Sequence, residues 1–163
     1  MAHLSECGGV EHISLISTPT RSRAVSASRA GSRRVLIVDD EPAVRRFASR
    51  VLLEEGFLVE EAMDGAEALA RLITGGPAVH VVVSDVVMPG IDGVKLLQAL
   101  HVLVPTLPVL LISAYATVQL DGLGIAAPCG ILAKPFSGER LVEEVRRCLT
   151  DADPLAFSTA DAG

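Results

Sequence analysis

In this 163-residue chain, residues able to do polar chemistry follow four short apolar runs. Asp39 and Asp40 follow Val35-Leu36-Ile37-Val38, and Asp85 follows Val81-Val82-Val83-Ser84. Ser113 follows Val109-Leu110-Leu111-Ile112, and Lys134 follows Ile131-Leu132-Ala133. Taken singly, each is ordinary, since a lone strand-end acid is usually solvated surface. Together they would do specific chemistry. Three carboxylates within a few ångströms repel one another and require a cation. Oxygen-only ligands select a hard ion such as Mg2+, which keeps several waters and can also bind a phosphoryl oxygen. A carboxylate can accept a phosphoryl group to give an aspartyl-phosphate. A metal ion and a lysine ammonium would neutralise charge on the transferring group, and a serine hydroxyl can hydrogen-bond the new phosphoryl oxygen.

Such a set must be assembled by the elements that carry it. The β-branched and apolar runs read as strands buried on both faces, the pattern of a parallel sheet. Between them lie helical periodicities. Pro42 fits the first turn of a helix with Val44, Phe47, Ala48, Val51 and Leu52 on one face, ended by Gly56. A more polar strand, Phe57 to Ala62, belongs nearer an edge. Asp64, three residues before Glu67, predicts a capping box for a helix through Ala68, Leu69 and Leu72. Met88-Pro89-Gly90 turns the chain after Asp85. Asp92 can cap a helix through Val94, Leu96, Leu97 and Leu100, and Ser137 one through Leu141, Val142, Val145 and Leu149. A short helix is expected from Ala116 to Leu120, with Gly122, Gly124, Pro128 and Gly130 limiting it.

Five strands alternating with five helical segments give an α/β sandwich with a parallel sheet and right-handed crossovers. All strand carboxyl ends then share one edge, where open α/β sheets bind ligands. No glycine-rich phosphate loop follows the first strand.

Composition agrees. Half the residues are hydrophobic but only 3% aromatic, with no Trp, so the core must be built from Val, Leu, Ile and Ala. No run approaches the roughly 18 apolar residues of a membrane span. Cys7, Cys129 and Cys148 suggest neither a disulfide framework nor a metal cluster, which suits a reducing cytoplasm. His80 and His101 read as an edge and a helix-face residue. Residues 1–34 hold five Arg and two acids, and the remainder nine basic and eighteen acidic residues. An acidic folded part argues against a nucleic-acid surface on the domain. Residues 1–32, rich in Arg and Ser, read as a disordered arm or over-extended start, with targeting or electrostatic docking as the alternative. Residues 33–150 form the domain and 151–163 a short tail, with no DNA-binding domain expected.

The strings Val35-Leu36-Ile37-Val38-Asp39-Asp40-Glu41, Ser84-Asp85 through Met88-Pro89-Gly90 to Asp92-Gly93, Leu111-Ile112-Ser113-Ala114 and Lys134-Pro135-Phe136 resemble the receiver domain of two-component response regulators. The likeness covers residues 33 to 150. It implies a flavodoxin-like (βα)5 three-layer sandwich with sheet order 2-1-3-4-5, and a phosphoacceptor switch rather than an enzyme. In that pattern Asp85 takes a phosphoryl group from a phosphohistidine on a histidine kinase or a His-containing phosphotransfer protein. Asp40 and Asp85 bind Mg2+ directly, with the backbone carbonyl of Val87, and Asp39 acts through a metal-bound water. Ser113 is the switch hydroxyl and Lys134 the phosphate-binding lysine, with Lys134-Pro135 usually cis. Ser113-Ala114-Tyr115-Ala116 and Leu132-Ala133-Lys134-Pro135-Phe136 are similar to receivers of hybrid histidine kinases.

Two departures stand out. Ile131 occupies the position where many receivers carry a switching aromatic, and the fourth helix is short. Val87 and Tyr115 are positioned to flank the path of an attacking water and neither is an obvious water activator, which predicts a phosphoryl group lasting longer than in receivers with a polar residue at the Val87 position. Two other readings remain: a non-phosphorylated binding module of the same fold, and a haloacid-dehalogenase-type phosphatase. The second resembles Asp-x-Asp on the first strand, whereas here the two aspartates are adjacent.

Overall fold

The computed structural model describes residues 33–114 and 127–152. Its order is β1 (Arg34–Val38), α1 (Pro42–Glu54), β2 (Leu58–Ala62), α2 (Gly65–Ile73), β3 (Val81–Asp85), α3 (Gly93–Leu103), β4 (Val109–Ser113), β5 (Gly130–Ala133) and α4 (Gly138–Asp151). The strands form one sheet in the order β2-β1-β3-β4-β5, parallel at every pairing. This is the expected flavodoxin-like sheet, with the polar β2 at an edge.

Strand side chains alternate between faces, and the two faces build two cores. Val35, Ile37, Val83, Leu110 and Ile112 pack with Ala48 and Leu52 of α1 and with Leu141, Val142 and Val145 of α4. Leu36, Val38, Val82 and Leu111 pack with Ala68 of α2 and with Leu96, Leu97 and Leu100 of α3. Burying each Val, Leu or Ile among them stabilises the fold by about 1.5–3 kcal/mol, so branched aliphatics make up for the scarcity of aromatics.

The helix starts match their expected caps. Asp64, Asp92 and Ser137 side chains accept from Glu67 N, Lys95 N and Arg140 N. The α2 box closes one residue early, with Glu67 Oε2 accepting from Met63 N rather than from Asp64 N. Gly56 lies at φ +85°, as the expected helix stop requires. His80, expected at an edge, instead stands just before β3, a strand flanked by β1 and β4, and accepts the Arg34 N–H through Nδ1.

One expectation is corrected. Cys129 and Cys148 form a disulfide joining the entrance of β5 to α4. The two residues are 19 apart in sequence, and only the packing of α4 on β5 brings them together. α4 also takes in Asp151, one residue into the expected tail. The arm 1–32, Tyr115, the helix expected at 116–120 and tail residues 153–163 lie outside the described residues. Among the described residues, no helix is long and apolar enough to cross a membrane.

Candidate functional site

Register sets the strand ends level. Val38 pairs with Ser84, Asp85 with Ile112 and Ser113 with Ala133. The next residue on β1 is therefore Asp39, beside Asp85, and the next on β5 is Lys134, one position past the residue that faces Ser113. Backbone bonds carry the ladder past the ends: Val86 N to Ile112 O at 2.8 Å and Lys134 N to Ser113 O at 2.7 Å.

Carboxylate oxygens of Asp39, Asp40 and Asp85 lie within 4.8 Å of one another. Asp39 and Asp85 are buried and Asp40 is exposed. Lys134 reaches in from the end of β5, its Nζ 3.1 Å from Asp85 Oδ2 and 3.4 Å from Asp39 Oδ2. Asp39 Oδ1 accepts the Glu41 N–H at 2.8 Å. Ser113 is buried at the end of β4. Val87 lies in the loop two residues past Asp85, its side chain exposed. The strand-end aspartate is thus no solvated surface acid, and the predicted residues on β1, β3, β4 and β5 share one edge.

The loop after Asp85 is pinned on both sides. Met88 is buried in the core shared with α2 and α3. Gly90 adopts φ +76°, the left-handed region that favours glycine. Gly93 N donates to Val86 O at 3.1 Å, and a Cβ on Gly93 would strike the Asp85 carbonyl. The start of α3 is therefore folded back against the strand end.

The electrostatics are unbalanced. At an effective dielectric constant of 20, two carboxylates at this separation repel by roughly 3 kcal/mol, and three pairs share one lysine. Burial pushes the Asp39 carboxyl above its ordinary value, against the downward pull of the Glu41 N–H and of Lys134. Burial also pulls the Lys134 ammonium down, but the hydrogen bond to Asp85 and the charges of Asp39 and Asp85 outweigh it, leaving its pKa raised. Three carboxylates against one ammonium leave a net deficit of positive charge. A hard divalent cation fits that deficit and this all-oxygen donor set.

Sequence reasoning missed a second layer. Arg45 of α1 donates from Nη1 to the Asp39 carbonyl and from Nε to Glu61 of β2. Ser49 donates to the other Glu61 oxygen. Ser84 donates to the Asp85 carbonyl at 2.9 Å. In the sequence, the only hint was a glutamate at the end of an otherwise apolar β2 face.

Comparison with known proteins bears on this arrangement. The family model for the response regulator receiver domain matches residues 35–146. The sensor kinase CckA of Brucella abortus is 41% identical over 125 residues, covering 76% of this chain and 13% of the kinase. The chain spans about half the length of the mycobacterial response regulator MprA, which it also matches at 37% identity over 122 residues. The structure of the receiver domain of the hybrid histidine kinase CckA is 40% identical, with TM-score 0.59, covering 71% of this chain and 98% of that one. The response regulator TrrA of Thermotoga maritima, solved with Mg2+-BeF, is 31% identical, with TM-score 0.65, covering 72% of this chain and 99% of that one.

Proposed function

The chain belongs to the response regulator receiver family, and from that premise we propose that Asp85 is the phosphoacceptor of a two-component phosphorelay. The observation that carries the reading is the convergence of Asp39, Asp40 and Asp85 on one edge with Lys134 Nζ 3.1 Å from Asp85. The similarity to TrrA, a structure holding Mg2+-BeF, supports it.

Asp85 Oδ attacks the phosphorus of a phosphohistidine on a histidine kinase or His-containing phosphotransfer protein. The P–O bond forms as the P–N bond breaks, and the imidazole leaves with the electron pair. Lys134 exchanges its contact with Asp85 for one with a phosphoryl oxygen. Ser113 hydrogen-bonds another and so reports the new group to β4. Asp39, Asp40, Asp85 and the Val87 carbonyl would hold Mg2+, which supplies positive charge to the transferring phosphoryl oxygens. The chain acts as a regulatory acceptor rather than on an external substrate. Its output is a change in protein docking.

Incubation with acetyl phosphate and Mg2+, followed by intact mass measurement, tests this reading. One added phosphoryl group, lost in Asp85→Asn, is the expected result. No adduct in the unaltered chain would leave a binding module of the same fold, regulated by partners alone.

A further inference from the structure

The mechanism above leaves a partly buried ionic contact, Arg45 with Glu61, unused. Arg45 lies near the start of α1, where the helix dipole disfavours a cation. Its side chain nonetheless is only 16% exposed. It is turned back over the helix start, with Nη1 2.6 Å from the Asp39 carbonyl oxygen and Nε 3.1 Å from Glu61 Oε2. Glu61 is held in turn by the hydroxyl of Ser49, a buried residue one turn further along α1. The Asp39 N–H donates to the Ala62 carbonyl, the residue after Glu61. Asp39 is thus fixed from β2 at its N–H, and the Asp39–Asp40 peptide from α1 at its carbonyl.

That peptide joins two of the three clustered carboxylates, so its orientation sets where both point. We propose that Arg45 is a positioning residue, holding the Asp39–Asp40 backbone in the geometry that receives the divalent cation. The proposal rests on the reading of Asp39, Asp40 and Asp85 as the Mg2+ site. A guanidinium suits the task because its planar fork reaches a carbonyl and a carboxylate together, which an ammonium does not. Residues that orient ligands from behind typically change metal affinity 10- to 100-fold when lost.

Removing Arg45 alone would also remove a positive charge near the cation, an opposing effect. The double variant Arg45→Met with Glu61→Gln removes the bridge and leaves net charge unchanged. Mg2+ titrated calorimetrically into the full chain should bind this variant about tenfold more weakly than the unaltered chain. Arg45→Lys, which keeps the charge but not the fork, should fall between them, and it decides the matter if the double variant does not fold. Binding by the folded double variant within roughly twofold of the unaltered chain, whatever its melting temperature, overturns the proposal. An unaltered chain that takes up phosphoryl groups and Mg2+ alongside such a result sinks this inference alone. An unaltered chain that binds no Mg2+ and takes no phosphoryl group sinks the reading of the acids, and this role with it.

Discussion

Lys134 Nζ stands 3.1 Å from Asp85 Oδ2, joining the residue after β5 to the end of β3 across the intervening strand. In the metal-free chain this contact, with the one to Asp39, is the main offset to three clustered acids. Lys134→Met should therefore destabilise the metal-free chain by about 1–2 kcal/mol, discounted because the lysine is partly exposed. Added Mg2+ should stabilise the variant more than the unaltered chain, while phosphoryl uptake from acetyl phosphate falls at least roughly tenfold. Chemical denaturation with and without Mg2+ would show it. Equal Mg2+ stabilisation in both chains would contradict the electrostatic account.

Asp39 gives a pH prediction with a definite sign. Burial raises its folded pKa above 3.8, so its ionised form costs stability in the metal-free chain at neutral pH. Protonation relieves that cost as pH falls through the folded value, and below the unfolded value the favourable difference is fully present. Asp39→Asn should thus raise the metal-free melting temperature at pH 7, with the gain shrinking toward pH 4, while Mg2+ binding weakens. Melting curves over that range test it. A gain that grows on acidification would reverse the sign and sink the argument.

Val87 sits two residues beyond Asp85 with an exposed apolar side chain, unable to hydrogen-bond a water. Val87→Asn should shorten the lifetime of the phosphoryl group on Asp85. Loss of the adduct, followed by mass after removal of the donor, measures this directly. An unchanged rate would show that Val87 does not shield the site.

The Cys129–Cys148 disulfide closes a segment of 19 residues. Loop-closure entropy assigns such a link about 3 kcal/mol. Reduction should lower the melting temperature, and Cys129→Ser should lower it similarly and abolish the response to reductant. Alkylation before and after reduction, read by mass, establishes the oxidation state in each sample. A chain whose melting is indifferent to reductant would show that the link contributes nothing to stability.

Much of this site could be read from the residues in order. Val35 to Val38, Val81 to Val83 and Val109 to Ile112 have to be buried strands because both faces are apolar. A polar residue ending each run must then fall on the same edge of a parallel sheet. That is how Asp39, Asp85 and Ser113 could be assigned together before any distance was known, with Lys134 following from the shorter apolar run Ile131 to Ala133. The caps Asp64, Asp92 and Ser137 were legible for a similar reason, since a cap and its acceptor lie within one turn.

The contacts between elements were not legible. Arg45 reads on α1 as one more polar helix position, and Glu61 as a polar residue on an edge strand. They meet because β2 lies beside β1 and α1 packs over both, a relation between residues 16 apart. The same holds for Cys129 and Cys148, whose scattered spacing concealed a bond. The pattern of apolar and polar residues alone determined which elements form and which side chains stand at their ends, because burial acts locally on every residue. Only the tertiary structure decided how closely those ends approach and what holds them there, because register and helix docking are set by the packing of the whole core.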